Sequence, residues 1–414
     1  MAMHLDGQTI RFTGSPRSED LARVSQLLHI ASTKKAYRDI YLDFSRTEAV
    51  FESFMVPLIA LCRRHKGDGV DFDIDVPTHE PLRSLFHNSN WSHLLDPNRH
   101  EPTTFAGAQH FPAQAYRGPE EQGRVVNQIL EVVLGSLKLE RRQLKTLEWC
   151  ISEITDNVLN HAESRFGGVV QASSFQQKNS VEFVVADAGV GIARSLVVKD
   201  HATALERCIE EGVTRDPKTN QGNGLYGTFR VATLSGGKFE IHSGRASLQG
   251  KGSDRLHMTD HQPRLFAGTA VICEISCNDE RLIEEALRFK GQTYEPALDY
   301  LESRYESPHA DIFKFEVRSQ QEGFGSRNSG RVVRTKLANL LRAEPNNTLE
   351  IDFSGVPLVT SSFADEAIAK LYVEMGPLAF MSRVRLTNID STVRALIDRA
   401  IMQRSKFPNW QDGD

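Results

Sequence analysis

The feature that most limits how this chain folds is a change of apolar period, repeated along 414 residues. In residues 7–97, strand-like runs at 9–13, 40–44 and 70–76 alternate with helical runs at 18–32, 51–64 and 80–95, a β-α-β-α pattern. Residues 307–405 repeat it, with strands at 312–317, 348–353 and 383–386 and helices at 330–341, 362–375 and 391–399. The middle differs: two long amphipathic helices, 125–137 and 140–161, precede strand-like runs at 168–175, 180–187, 238–243 and 270–276. The pattern predicts a mixed α/β (α+β) chain of several modules. Their expected bounds are 1–97, a Pro- and Gly-rich linker at 98–123, 124–280, a connector at 281–306, and 307–414.

The two ends also share residues. Leu42-Asp43-Phe44-Ser45 is followed by Ser53-Phe54, and Ile351-Asp352-Phe353-Ser354 by Ser362-Phe363, at the same interval. Two related modules explain this better than chance. A formal net charge of −5 gives no electrostatic reason to expect nucleic acid as a main partner. No apolar run reaches the ~18 residues of a membrane span, and the opening residues lack a secretory signal pattern. Five scattered cysteines make a poor disulfide framework and fit a reducing cytoplasm. Cys273 and Cys277 read as buried strand residues rather than as metal ligands.

Four pieces of the middle segment carry chemistry. In Ser152-Glu153-Ile154-Thr155-Asp156-Asn157-Val158-Leu159-Asn160-His161-Ala162, the residues Glu153, Asn157 and His161 share one helix face. An amide oxygen suits Mg²⁺, and a carboxylate one turn away can take a proton from a hydroxyl. The polar side of any wet helix offers the same residues, so this piece alone favours that plainer reading. In Val184-Val185-Ala186-Asp187-Ala188-Gly189-Val190-Gly191-Ile192, a strand ends in an acid suited to accept from an adenine amino group, beside two glycines. Asn220-Gln221-Gly222-Asn223-Gly224-Leu225-Tyr226-Gly227 sets glycines ahead of a helix, a phosphate-binding arrangement that a plain loop also satisfies. Gly268-Thr269-Ala270 opens the last strand, where the Thr hydroxyl is expected to reach the adenine site beside Asp187.

The order and spacing of these pieces resemble the GHKL (Bergerat-fold, HATPase) superfamily across residues 124–280. That resemblance implies a Bergerat-fold α/β sandwich that takes ATP and Mg²⁺. It implies Asn157 as Mg²⁺ ligand, Glu153 as general base and Asp187 as adenine acceptor. It also implies Gly189, Gly191, Gly222, Gly224, Leu225, Gly227 and Thr269 around the nucleotide, a lid over 193–222, and Arg215 or Lys218 reaching the terminal phosphate. The Ser-Glu-x-x-x-Asn-x-x-x-His-Ala pattern is closest to the anti-sigma-factor serine kinases. The third segment, and more faintly the first, resembles STAS-like domains, the fold of those kinases' antagonists. At the antagonists' phosphorylation box this chain has Thr360-Ser361-Ser362-Phe363, without the usual Asp and Gly. Ser361 or Ser362 is therefore expected first as a helix N-cap and second as a phospho-acceptor. A serine kinase, an ATP hydrolase with nucleotide-dependent dimerisation and a non-hydrolysing ATP sensor all remain open. So do a STAS-type partner protein, the chain's own flanking modules and a homodimer as the regulated element. The third segment is expected to dock near the lid.

Overall fold

The computed structural model describes residues 3–103, 109–213, 222–252, 256–279, 285–289, 291–296, 299–307, 311–320 and 323–406. It is a mixed α/β structure built on three larger sheets. The first holds β1 (Met3–Asp6), β2 (Thr9–Gly14), β3 (Asp39–Thr47) and β4 (Asp71–Asp75) in that order. Its last three strands run parallel, and α1 (Leu21–His29) and α2 (Glu52–Gly67) connect them. The expected helix over 80–95 is two helices, α3 (Glu80–Asn88) and α4 (Trp91–Leu95). Asn90, at φ 64°, breaks it, because a left-handed residue ends the hydrogen-bond ladder.

The central sheet has seven strands. The added elements are β5 (His110–Tyr116), α5 (Pro119–Ser136), α6 (Arg141–His161), β6 (Gly168–Phe175), β7 (Ser180–Asp187), α7 (Ile192–Ser195), α8 (His201–Cys208) and α9 (Gly224–Leu234), followed by β8 (Lys238–Gly244), β9 (Ala246–Lys251), β10 (His257–Asp260) and β11 (Phe266–Ser276). Their order across the sheet is β10-β9-β8-β11-β7-β6-β5, with antiparallel neighbours throughout. The stretch read as a linker thus contains an edge strand, β5, and the first turn of α5. Pro112 sits where the β5 register slips between Phe111 and Gln114, the kind of place an edge strand tolerates a proline.

Both faces of this sheet are covered. Phe183, Val185, Ile241, Val271 and Cys273 join α5, α6 and α9 in one apolar core. Val169, Val184, Ala186, Ala270 and Ile272 face the other way and join Leu28, Phe54, Leu58 and Leu61 of the N-terminal module in a second. Polar contacts run along this second boundary: Trp91 Nε1 donates to Gln171 Oε1 at 2.7 Å, and Ser25 Oγ accepts from Ala267 N at 3.3 Å. All five cysteines are buried and unpaired.

The C-terminal sheet pairs β14 (Ile312–Glu316), β15 (Thr348–Asp352) and β16 (Val384–Thr387) in parallel, with helix Arg327–Ala343 and the helical run 361–375 between them. The repeated Asp-Phe-Ser sequences make the same local contact. Asp43 Oδ1 accepts from Ser45 N at 3.0 Å and Oγ at 2.6 Å, and Asp352 Oδ1 from Ser354 N at 2.9 Å and Oγ at 2.7 Å. Each Asp also meets a cation of the preceding strand, Arg11 at 2.8 Å and Lys314 at 3.1 Å.

Helix Arg327–Ala343 docks this module on α5, not on the cavity described below, whose lining includes none of residues 311–406 among those described. A Cβ on Gly135 would lie 2.6 Å from Val332, so only glycine lets the two helices approach so closely. Asn339 Nδ2 donates to the carbonyls of Leu134 and Leu137, each at 2.8 Å, and its Oδ1 accepts from Leu139 N at 3.2 Å. Arg141 bridges Asp299 at 2.8 Å, Glu306 at 2.7 Å and Glu344 at 2.5 Å. Among the described residues no helix is long and apolar enough to cross a membrane.

Candidate functional site

Helix α6 begins with a capping box between Glu140 and Gln143 and presents two faces. Cys150, Ile151, Ile154 and Val158 are buried in the core. Trp149, Glu153, Asn157 and His161, spaced one turn apart, line a cavity of about 280 Å³. Asp187 at the end of β7, Gly191 after it, Thr269 of β11, and Gly222, Gly224 and Leu225 at the start of α9 line the same cavity. Four stretches far apart in sequence therefore meet at one place.

The turn after Asp187 is held from both sides. Asp187 accepts from Gly189 N at 2.7 Å, and Val190 N donates to Ala162 O at 2.8 Å. A Cβ on Gly189 would sit 2.0 Å from that carbonyl, so the turn needs glycine there. Gly189 does not line the cavity; it lies on the wall of a second cleft, of about 540 Å³, between the central sheet and the N-terminal module. In the register of β11, Thr269 faces Asp187. Ser243 ties the pieces together: its Oγ accepts from Ile192 N at 2.9 Å and donates to Gly268 O at 2.9 Å. Nothing in the sequence around Ser243 signalled this, because the role comes from strand register alone.

At the other end, α9 packs antiparallel on α6 through two glycines. A Cβ on Gly224 would be 2.3 Å from Glu153 Oε2, and one on Gly227 would be 2.3 Å from the Trp149 ring. Gly227 thus shapes the helix contact and does not line the cavity. Helix α9 begins at Gly224, against Glu153, so the positive end of its dipole lies in the Glu153 region. Arg215 and Lys218, and most of the lid after Val213, lie outside the described residues.

Burial governs the electrostatics here. It pushes Glu153 up to about 7, with the neighbouring Asp156 carboxylate adding to the rise. Asp187 is likewise pushed up to about 7 by burial, against the N–H groups of Gly189 and Thr269. Asp156 lines the cavity but was not singled out from the sequence. Asn157 Nδ2 is buried without a hydrogen-bond partner among the described residues. A buried amide left so calls for a ligand to satisfy the site.

Ser361 and Ser362 lie elsewhere, in the C-terminal module. The N-cap expected of them belongs to Thr360, whose Oγ1 accepts from Phe363 N at 3.1 Å. Ser361 is exposed in the first turn and Ser362 half-buried.

No curated protein matches this chain. A family model described as a STAS-like domain of unknown function (DUF4325) matches residues 329–394, in keeping with the likeness read from the C-terminal third.

Proposed function

We propose that the cavity is a GHKL-type ATP site whose Glu153 serves as general base for phosphoryl transfer. The observation that carries the reading is the meeting of Glu153, Asn157, Asp187 and the glycine-led start of α9 around one cavity, in the order of the family motifs. Asn157 would hold Mg²⁺ together with the nucleotide's own phosphates, which suits a cation that keeps few protein ligands. The amide Oδ1 would be the ligand atom, while the buried Nδ2, without a partner among the described residues, would donate to a phosphate oxygen. Bound Mg²⁺ supplies charge neutralisation at the phosphates. Asp187 would accept from the adenine amino group, and Gly222, Gly224 and Leu225 would border the phosphates, where a helix N-terminus favours anions. A carboxylate raised to about 7 is suited to taking a proton near neutral pH. The STAS-like C-terminal domain is the regulatory partner within the chain. Its exposed Ser361, and Ser362 beside it, are the acceptors to examine if the transfer is to protein.

Calorimetry with Mg²⁺ and ATP tests the pocket. Asn157→Ala should abolish the Mg²⁺ dependence of binding, and Asp187→Asn, which presents a donor where an acceptor is needed, should weaken affinity at least tenfold. Unchanged affinity in both variants would remove the assignment.

A further inference from the structure

The segment read from the sequence as a connector supplies one end of the cavity. Two short strands, β12 (Arg288–Phe289) and β13 (Gln292–Thr293), pair antiparallel, and Tyr294 N donates to Leu287 O at 2.7 Å. Phe289 and Tyr294 line the cavity beside Trp149. Their ring centroids stand 6.2 Å (Trp149–Phe289), 5.9 Å (Trp149–Tyr294) and 5.5 Å (Phe289–Tyr294) apart, a mutually packed aromatic wall. Arg230 fastens the hairpin from outside the cavity, donating to Arg288 O at 3.3 Å and Glu285 O at 3.4 Å.

The position of this wall follows from α6. Ala162 marks the Asp187 end, through its bond to Val190. His161, Asn157, Glu153 and Trp149 then succeed one another at steps of about 6 Å along the axis. The aromatic wall is therefore one turn beyond the carboxylate, on the side away from Asp187. With adenine at Asp187 and the leaving group toward it, a hydroxyl that attacks from the opposite side and gives its proton to Glu153 approaches from this end.

We infer that the hairpin wall decides which acceptor reaches Glu153, admitting water and shutting out a hydroxyl carried on a protein. This rests on the reading of Glu153 as general base. In the step that follows, the water oxygen bonds to the terminal phosphorus and its proton passes to Glu153. The bond from that phosphorus to the bridging oxygen breaks, ADP leaves with the electron pair, and the products are ADP and inorganic phosphate. Phe289 and Tyr294 act by exclusion and take no part in the bond changes.

The test uses the full chain, Mg²⁺ and γ-labelled ATP with glycerol as a hydroxyl acceptor larger than water. Free phosphate, glycerol phosphate and protein-bound phosphate are counted separately. The wild type should release free phosphate alone. Tyr294→Ala, and Arg230→Ala outside the cavity, should each raise the glycerol phosphate share at least fivefold. Hydrogen exchange over 285–296 gives a readout independent of turnover: a non-hydrolysable ATP analogue should slow it in the wild type and slow it less in Arg230→Ala. Phosphoserine in the wild type, an unchanged product share in both variants, or binding without product would overturn the acceptor assignment and leave the pocket standing. Absence of ATP binding in the wild type would overturn both.

Discussion

Glu153 and Asp187 are acids that the fold prefers protonated, and that preference has a sign. A carboxyl raised from its ordinary 4.5 to about 7 adds stability that is complete below about 4.5 and is lost as pH rises through 7. Asp187 at about 7 and Glu52 at about 8 act in the same direction. The melting temperature of the nucleotide-free chain should therefore fall between pH 5 and pH 8, and Glu153→Gln should remove part of the fall. Superimposable pH slopes for wild type and variant would contradict the buried-acid account. If Glu153 is the base, turnover rises through pH 7 in the opposite sense, since only the carboxylate accepts a proton. At this scale the sequence was informative where chemistry sits in a local pattern, as for Asn157 and Asp187. It was silent on Ser243, Trp149, Phe289 and Tyr294, whose roles depend on strand register and on a segment about 125 residues downstream of α6.

Pairs of elements explain why some of the architecture was legible. The helix at 140–161 and the strands at 168–175 and 180–187 have strong periods and match α6, β6 and β7 closely. β5 was hidden by Pro112 and β10, the other edge strand, by its four-residue length, because edge strands need less apolar sequence than central ones. The internal repeat was legible because it fixes a local contact, Asp to Ser, within β3 and at the end of β15. The close contact of α6 and α9 is sensitive to a single methyl group. Gly227→Ala would place a Cβ 2.3 Å from Trp149 and 3.1 Å from Phe289. Overpacking of this kind typically costs ~1–3 kcal/mol. Urea unfolding should show a loss in that range, whereas Gly236→Ala, in open space, should not show the packing cost, only that of its left-handed backbone.

Across the whole molecule, the two flanking modules grip the central sheet by different surfaces. The N-terminal one covers the face opposite the cavity helices, and the C-terminal one holds α5 through a polar clasp set in the larger apolar core. Asn339→Ala would leave the carbonyls of Leu134 and Leu137 and the N–H of Leu139 without their partner. Leaving buried groups unpaired costs ~1–3 kcal/mol each. Faster hydrogen exchange across the end of α5, with the strands of the C-terminal sheet still protected, is the expected result. Exchange at α5 equal to wild type would show that the clasp does not hold the module. Docking on α5 rather than on the cavity also leaves α6, which helix Arg327–Ala343 touches and which lines the cavity, as a direct link between module and cavity.

The shared core of the N-terminal module has a consequence for synthesis. Residues 3–95 leave the ribosome before the central strands, yet the apolar side of α1 and α2 is completed by strands reaching as far as Ile272, about 180 residues later. At ~5–20 residues per second that is a wait of roughly 10–35 s. During it α2 lacks the central strands β6, β7 and β11 that it packs on, so a nascent chain paused before β11 is the form most exposed to chaperones and to aggregation.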